Sequence, residues 1–359
     1  MMRQLTVGLG KRSYPILVGP GLLAQAGARI AEAVSGRLLV VSNPVVSAIY
    51  REQFSQSLID AGLGFAWVKI PDGESLKNLD TVAFLYDHAF EAGLDRSSAV
   101  VALGGGVVGD ISGFVAATYM RGIAFVQVPT TLLAQVDSSV GGKVGVNHPR
   151  GKNVIGAFHQ PRLVLADIST LQSLPPREVA AGLAEVIKCA VIRDGSFFAW
   201  LEENLEAILR LDEQALGHLV EVCCRIKASV VEEDENESAK GVRQLLNYGH
   251  TMGHALESLT GYGVFRHGEA VAVGMVLSAR AAQRLGYLDA QDVERIKSLL
   301  ERAGLPVTLS AELGRSSLEA AIAHDKKARG GRINFIVPRA IGQASIYPAT
   351  PTEVLDLVL

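Results

Sequence analysis

The feature that most restricts the fold is a series of short β-branched runs in the first half of the chain, interleaved with stretches of helical spacing. RLLVVSN (37–43), FAWVKI (65–70), SAVVAL (98–103), IAFVQV (123–128) and RLVLAD (162–167) are each the length of one strand. Between the first two, segment 45–61 repeats its apolar residues at helical intervals. Apolar strands that alternate with helices build a parallel sheet covered on both faces, because each crossover helix packs on the sheet it connects. After Pro175 and Pro176 the texture changes, and segments 178–192, 212–232, 246–259, 268–284 and 290–303 carry helical periodicity. At 359 residues the chain is also long for one core. The expected organisation is a Rossmann-like α/β domain over 1–174 and an all-α domain over 175–359, with a ligand cleft between them.

Bulk properties exclude several function classes. With 34 Lys and Arg against 37 Asp and Glu, the chain lacks the cationic excess of a nucleic-acid surface. The opening MMRQLTVGLGKRSYP has no apolar signal region, and AVAVGMVLSA (270–279) is too short to span a membrane and reads as a buried helix. Cys189, Cys223 and Cys224 are odd in number and show no paired spacing, as expected of buried thiols in a reducing cytoplasm. EEDENE (232–237) reads as a solvated helix end or loop.

SAVVAL runs directly into GGGVVGD (104–110), then into ISGFVAATY with helical spacing. Gly104, Gly106 and Gly109 satisfy G-x-G-x-x-G in a strand–turn–helix context. That arrangement lets the backbone approach a pyrophosphate at a helix N-terminus, where unpaired N–H groups and the helix dipole favour anions. The acidic residue usual about 20 positions later is replaced by Pro129, Thr130 and Thr131. A plain tight turn would look the same in isolation. A second polar turn, PDGESLKN (71–78), tips the reading to a dinucleotide: Asp72 or Glu74 can bond a ribose hydroxyl, and Lys77 can meet a phosphate.

NYGHTMGHALE places His250 and His254 four apart on one helix face. HGEAVAVGM supplies His267, and GLAEVIKCAVI sets Glu185 in an apolar helical stretch with Lys188 one turn on. A buried carboxylate is costly unless paired or metal-bound. Two histidines and a carboxylate leave a fourth position open, the pattern of a catalytic rather than a structural zinc. Core or surface histidine pairs also match H-x-x-x-H. The metal reading rests on three of the 8 histidines lying between 250 and 267, beside a buried glutamate. Spacing does not decide which of His250 and His254 binds the ion.

Segment 135–161 is glycine-rich and regularly basic, and reads as neither a plain strand nor a helix. Lys143 and Lys152 each follow glycine, Asn153 adds an amide and Asp137 an acid, while Val140, Val144, Val146, Val154, Ile155 and Phe158 argue against a solvated loop. Lys227, Arg243, Lys326 and Lys327 add basic positions near helix ends. Such a set suits a substrate with two anionic groups.

Taken together and in order, DGESLKN, GGGVVGD, VPTTLLAQVDSSVGGKVGVN, GKNVIGAFHQP, GLAEVIK, LLNYGHTMGHALE, HGEAVAVGM and the late DKK resemble the 3-dehydroquinate synthase family of sugar phosphate cyclases over essentially the whole chain. The resemblance implies bound NAD, zinc or cobalt, and a homodimer. It also implies conversion of 3-deoxy-D-arabino-heptulosonate 7-phosphate to 3-dehydroquinate, on the shikimate route. That reaction runs through transient oxidation, β-elimination of phosphate, reduction and an intramolecular aldol closure.

By the same resemblance Glu185, His250 and His267 match the metal ligands, and His254 a substrate-side histidine. Asp72, Gly73, Glu74, Ser75, Leu76 and Lys77 match nucleotide contacts, as do Gly106, Val107, Val108, Gly109 and Asp110. Thr130, Thr131, Lys143, Lys152, Thr170, Leu171, Gln172 and Ser173 match further nucleotide contacts or the adjoining wall. Lys143, Asp137, Lys188, Asn247 and His254 match catalytic positions. Arg121, Lys152, Asn153, Lys227 and Arg243 match substrate contacts, Arg121 reaching across from a neighbouring subunit. Loop 232–240 is somewhat longer than the family pattern. The rivals are another sugar phosphate cyclase and a metal-dependent glycerol or alcohol dehydrogenase, which has no need of the Lys143, Lys152, Asn153 and Arg243 anion set. A non-catalytic nucleotide-binding subunit would have no use for an open metal position.

Overall fold

The computed structural model describes residues 1–238, 241–261, 263–309, 313–323 and 331–359. They fall into two units: Met1–Leu174 with Leu216–Glu232, and Pro175–Ala215 with Glu233–Leu359.

In the first unit the chain runs β1 (Arg3–Val7), β2 (Tyr14–Gly19), α1 (Ala26–Ala33), β3 (Leu38–Ser42), α2 (Pro44–Asp60) and β4 (Phe65–Lys69). It continues α3 (Leu79–Glu91), β5 (Ala99–Gly104), α4 (Gly106–Thr118), β6 (Ala124–Pro129), β7 (Lys143–His148), β8 (Gly151–Phe158) and β9 (Leu163–Asp167). Seven strands form one sheet in the order β1-β2-β9-β6-β5-β3-β4. Only β1 is antiparallel to its neighbour.

Alternation along buried strands sorts the side chains into two cores. Leu39, Val41, Val100 and Ala102 join Val82 and Leu85 of α3 and Ile111 and Val115 of α4 in one core. Leu38, Val40, Ala99 and Val101 join Ile30 of α1 and Phe54 and Leu58 of α2 in the other. A period of two therefore loads both faces, as a doubly covered sheet requires. Helix starts follow local chemistry: Asn43 accepts the Val46 N–H before Pro44 opens α2, and Asn78 accepts the Thr81 N–H before α3.

The 135–161 segment departs from the expectation. It contains a five-residue π-turn (Ala134–Ser138) and then the antiparallel hairpin β7–β8. Its glycines signal close backbone approach rather than a loop: a Cβ on Gly145 would lie 2.5 Å from the Ile155 carbonyl oxygen, and one on Gly156 2.4 Å from that of Val144.

Past Leu174 come α5 (Pro176–Arg193), α6 (Gly195–Leu209) and α7 (Glu213–Glu233). Residues Leu216–Glu232 of α7 group with the first unit, so the expected 175–359 domain is not continuous in the structure. There follow α8 (His250–Thr260), α9 (His267–Arg284), α10 (Ala290–Arg302), α11 (Arg315–Ala323), β10 (Ile333–Ala340), β11 (Gln343–Ala349) and α12 (Pro351–Val358). The second unit is thus mostly helical with one added hairpin, β10–β11, whose Ile333, Phe335 and Val337 alternate into its core. Helix α8 starts at His250 rather than at 246, because Gly249 is left-handed at φ 79° and Val242–Asn247 forms a 3-10 turn. Segment 270–279 is buried throughout within α9. Among the described residues no helix is long and apolar enough to cross a membrane.

Candidate metal centre and nucleotide site

In the second unit three helices converge on one acidic side chain. Glu185, in the middle of α5, has 1% of its side chain exposed and is ion-paired with Lys188 one turn later. Apart from that pair, neither of its carboxylate oxygens has a hydrogen-bond partner among the described residues. The Nε2 atoms of His250 and His267 lie 3.8 and 3.7 Å from Glu185 Oε1. Each of these rings is held from its other side. His250 Nδ1 stands 3.1 Å from the Tyr248 carbonyl oxygen, and His267 Nδ1 stands 3.3 Å from Glu257 Oε2. Both partners are acceptors and suit a proton on Nδ1, the tautomer in which each Nε2 would offer a lone pair to a cation beside Glu185.

Close helix packing sets these positions. A Cβ on Gly274 of α9 would stand 1.9 Å from the Gly249 carbonyl oxygen, and one on Gly268 2.0 Å from that of Ala181. Only glycine permits either approach. The first turn of α9, which begins with His267, is tied by Glu269. That carboxylate accepts the Arg266 N–H at 2.8 Å and takes Arg177 of α5 in a two-pronged pair at 2.6 and 2.8 Å. The Arg177 hydrogen bond, helped by the Arg266 N–H, holds the Glu269 carboxyl below its ordinary value of 4.5.

One donor atom each from Glu185, His250 and His267 lie within 4.8 Å of one another; so do atoms from His254, Glu257 and His267. The His254 ring centroid is 5.3 Å from that of His250 and 6.1 Å from that of His267. Geometry therefore offers two overlapping sets that share His267. A buried carboxylate short of hydrogen bonds and two Nε2 lone pairs fit a divalent cation at ordinary ligand distances of about 2.0–2.2 Å, which favours the first set. Nearby, Asn247 donates to Glu237 Oε1 at 3.3 Å and to the Gln244 carbonyl at 3.0 Å. The buried Arg243 guanidinium bonds the Glu235 carbonyl. Lys326 and Lys327 lie outside the described residues.

In the first unit Gly105 precedes α4, and Gly106 and Gly109 fall in its first turn. A Cβ on Gly109 would press within 2.9 Å of Gln127 Oε1, so this glycine also serves the packing of α4 on the sheet. Asp110, one residue later, receives Lys77 Nζ at 2.5 Å, and the same ammonium donates to Asn153 Oδ1 at 2.6 Å. Burial pushes the Asp110 carboxyl above its ordinary range, against the opposing pull of Lys77. Asn43 donates to Asp72 at 2.9 Å, and Lys152 lies 3.9 Å from Glu74.

The residues of the adjoining wall are anchored individually. Thr130 and Leu171 are buried, Thr131 accepts the Ala134 N–H at 3.2 Å, Thr170 donates to the Asp167 carbonyl at 2.7 Å, and Ser173 meets the Tyr50 hydroxyl at 2.8 Å. Lys227 of α7 donates to Asp137 Oδ1 at 2.6 Å. Lys143 opens β7 at an exposed position, and Arg121 is exposed at φ 67°. Arg121 lines a cavity of about 480 Å³ with Arg12, Arg96 and Arg162, and none of the other expected site residues is in its lining.

Two family models divide most of the chain between them: 3-dehydroquinate synthase N-terminal matches residues 67–181, and 3-dehydroquinate synthase C-terminal matches 182–328. The chain belongs to the 3-dehydroquinate synthase family. A family member from Pelotomaculum thermopropionicum is 56% identical over 96% of this chain and 93% of its own. Among solved structures, 2-deoxy-scyllo-inosose synthase complexed with carbaglucose-6-phosphate, NAD+ and Co2+ superposes with a TM-score of 0.88 at 29% identity, covering 99% of each chain. The 2-epi-5-epi-valiolone synthase of Streptomyces hygroscopicus subsp. jinggangensis, with NAD+ and Zn2+ bound, gives 0.88 at 30% identity over 96% of this chain and 95% of that one.

Several side chains that organise these sites escape a reading of the sequence. Glu257 carried a usable signal, since it stands one turn after His254 and directly follows the apolar Ala255 and Leu256. Glu237 did not, because an acidic run reads as a solvated face. Asn147, at the end of β7, looks like an ordinary turn residue.

Proposed function

We propose that this chain is a 3-dehydroquinate synthase, a phosphate-eliminating lyase that converts 3-deoxy-D-arabino-heptulosonate 7-phosphate to 3-dehydroquinate. The observation that carries the reading is the clustering of Glu185, His250 and His267 donor atoms in a chain of this family. Bound NAD supplies reversible hydride transfer at C5, and bound zinc or cobalt supplies Lewis acidity toward the neighbouring hydroxyls, so oxidation, elimination, reduction and aldol closure leave no net redox change.

In this reading Glu185, His250 and His267 hold the cation, while Lys188 balances the buried carboxylate. His254, with Asn247, moves the proton at the C5 hydroxyl. Residues 72–77 and 106–110, together with Thr130, Thr131, Lys143, Lys152 and 170–173, hold the dinucleotide. Lys152, Asn153, Lys227 and Arg243 bind the carboxylate and phosphate ends of the substrate. Lys227 also fixes the orientation of the Asp137 carboxylate. So many contacts to one flexible sugar acid serve to keep it in register through successive steps.

We read 1–174 as the nucleotide-binding half and 175–359 as the metal and substrate half, with α7 as an exception. Exposure of Arg121 on a left-handed turn supports its donation to a second copy, in a homodimer. The burial of Cys189, Cys223 and Cys224 supports a cytoplasmic enzyme.

The test is to incubate the metal-loaded protein with the heptulosonate phosphate and catalytic NAD, following phosphate and NADH together. Phosphate release without NADH build-up is the expected result. Steady NADH production from a simple polyol, with no phosphate released, would sink the reading in favour of a dehydrogenase.

A further inference from the structure

We propose that Asn147 is a positioning residue for the dinucleotide site, holding Glu74, Lys77 and Asn153 in one register; this rests on the reading that the 72–77 turn receives the nucleotide. Its backbone N–H donates to the Lys77 carbonyl at 2.8 Å. Its Nδ2 donates to Glu74 Oε1 at 2.9 Å and to the Glu74 carbonyl at 3.4 Å. Its Oδ1 accepts the Asn153 N–H at 2.8 Å. Asn153 is left-handed at φ 52°, a conformation that asparagine tolerates better than most residues but that still needs outside support. The Asn153 side chain then accepts from Lys77 Nζ at 2.6 Å, and the same ammonium reaches Asp110 at 2.5 Å. The contacts close a circuit from Lys77 through Asn147 and Asn153 back to Lys77, with Glu74 attached.

The chemistry of the circuit selects the residue type. Glu74 requires a donor and the Asn153 N–H requires an acceptor, and one short amide supplies both ends. Only one orientation of the Asn147 amide satisfies the two partners, which fixes it. An aspartate at this position loses the donor and sets a second carboxylate against Glu74. Without the Oδ1 acceptor, Asn153 is free to leave the left-handed region and withdraw its own Oδ1 from Lys77. Asn147 thus acts on the nucleotide through Glu74 and Lys77, and the metal ligands of the second unit are untouched.

The experiment titrates NAD into zinc-loaded wild type, N147D, E74Q and N147D/E74Q by calorimetry, with zinc affinity measured in parallel by chelator competition. N147D should weaken NAD binding about tenfold, a loss typical of one charge-assisted hydrogen bond, at unchanged zinc affinity. Its turnover at saturating NAD should fall less than its NAD affinity. The double variant should bind NAD more tightly than the product of the two single losses predicts, because the amide introduced at position 74 donates to the aspartate introduced at position 147. A folding defect in N147D would not be repaired by E74Q. Should N147D fail to fold, N147S, which keeps a shorter donor and acceptor, is titrated in its place with a smaller loss expected. Wild-type NAD affinity in N147D, or single losses that simply multiply in the double variant, overturns the positioning role. Failure of the wild type itself to bind NAD overturns instead the reading of the site on which the proposal rests.

Discussion

Glu185 and Lys188 face each other across one turn of α5, with 1% and 2% of their side chains exposed. Val186, Ile187, Cys189 and Ala190 around them are all buried, so each charge has been taken from water and depends on the other. Such a pair adds little by itself, but removing one partner strands the remaining charge. Lys188→Met should cost the metal-free protein about 3–5 kcal/mol of stability, read as a lower denaturation midpoint. Added zinc should restore much of that loss, since a cation at Glu185 replaces the missing charge. An unchanged midpoint in the metal-free variant would show that Lys188 does not support the carboxylate.

His250 and His254 stand one turn apart, and the two donor sets that share His267 distinguish them. His250→Ala should lose bound zinc on dialysis along with turnover. His254→Ala should keep its zinc while turnover falls by about 10²-fold or more, the usual loss for a proton-transfer group. Metal content measured after dialysis decides the matter. Zinc lost from the His254 variant and retained by the His250 variant would reverse the assignment.

Gly274 lets α9 lie against the Gly249 carbonyl, at the start of the helix that carries His250. The added methyl of Gly274→Ala has nowhere to go, because the atom it meets is backbone. Overpacking of this kind costs about 1–3 kcal/mol and should move His250 relative to His267. The expected result is weaker zinc binding together with a lower melting temperature. Wild-type zinc affinity in a destabilised Gly274→Ala would separate the packing from the site.

Glu269 ties the first turn of α9 to Arg177, and its carboxyl is held below 4.5, first by the Arg177 hydrogen bond. A folded-state value below the unfolded one stabilises the protein above pH 4.5, and the contribution is lost as pH falls through the lowered value. Glu269→Gln should therefore be less stable than the parent at neutral pH by about 1–2 kcal/mol. The gap should narrow as the medium is acidified below pH 4.5. Paired denaturation curves at neutral and acid pH test this, and a gap independent of pH would rule out the ionised carboxylate as its source.

Much of the first unit was legible in its residues. Runs such as RLLVVSN and SAVVAL are buried on both faces, so they are apolar without interruption, and each of the five expected strands is present within about a residue or two at its ends. β1 escaped because RQLTV alternates partly buried with exposed positions and lacks the uniform apolar character of the central strands, and β2 because YPILVG, though largely buried, carries a proline at its second position. The β7–β8 hairpin was hidden by its glycines, which report backbone contact and not the shape of the chain.

The metal cluster divides in the same way. Sequence alone determined which residue types were available: a carboxylate inside an apolar helix, two histidines one turn apart, and a third at the next helix start. Helical periodicity and the cost of burying charge are local facts, so they are written in the order of residues. Tertiary structure alone decided which of those groups meet. Contacts among α5, α8 and α9, permitted by Gly268 and Gly274, bring Glu185 within 4 Å of two imidazole nitrogens from residues far along the chain. Tertiary structure also supplied the partners that turn each ring, Tyr248 and Glu257, because the proton on Nδ1 follows the acceptor it faces in space.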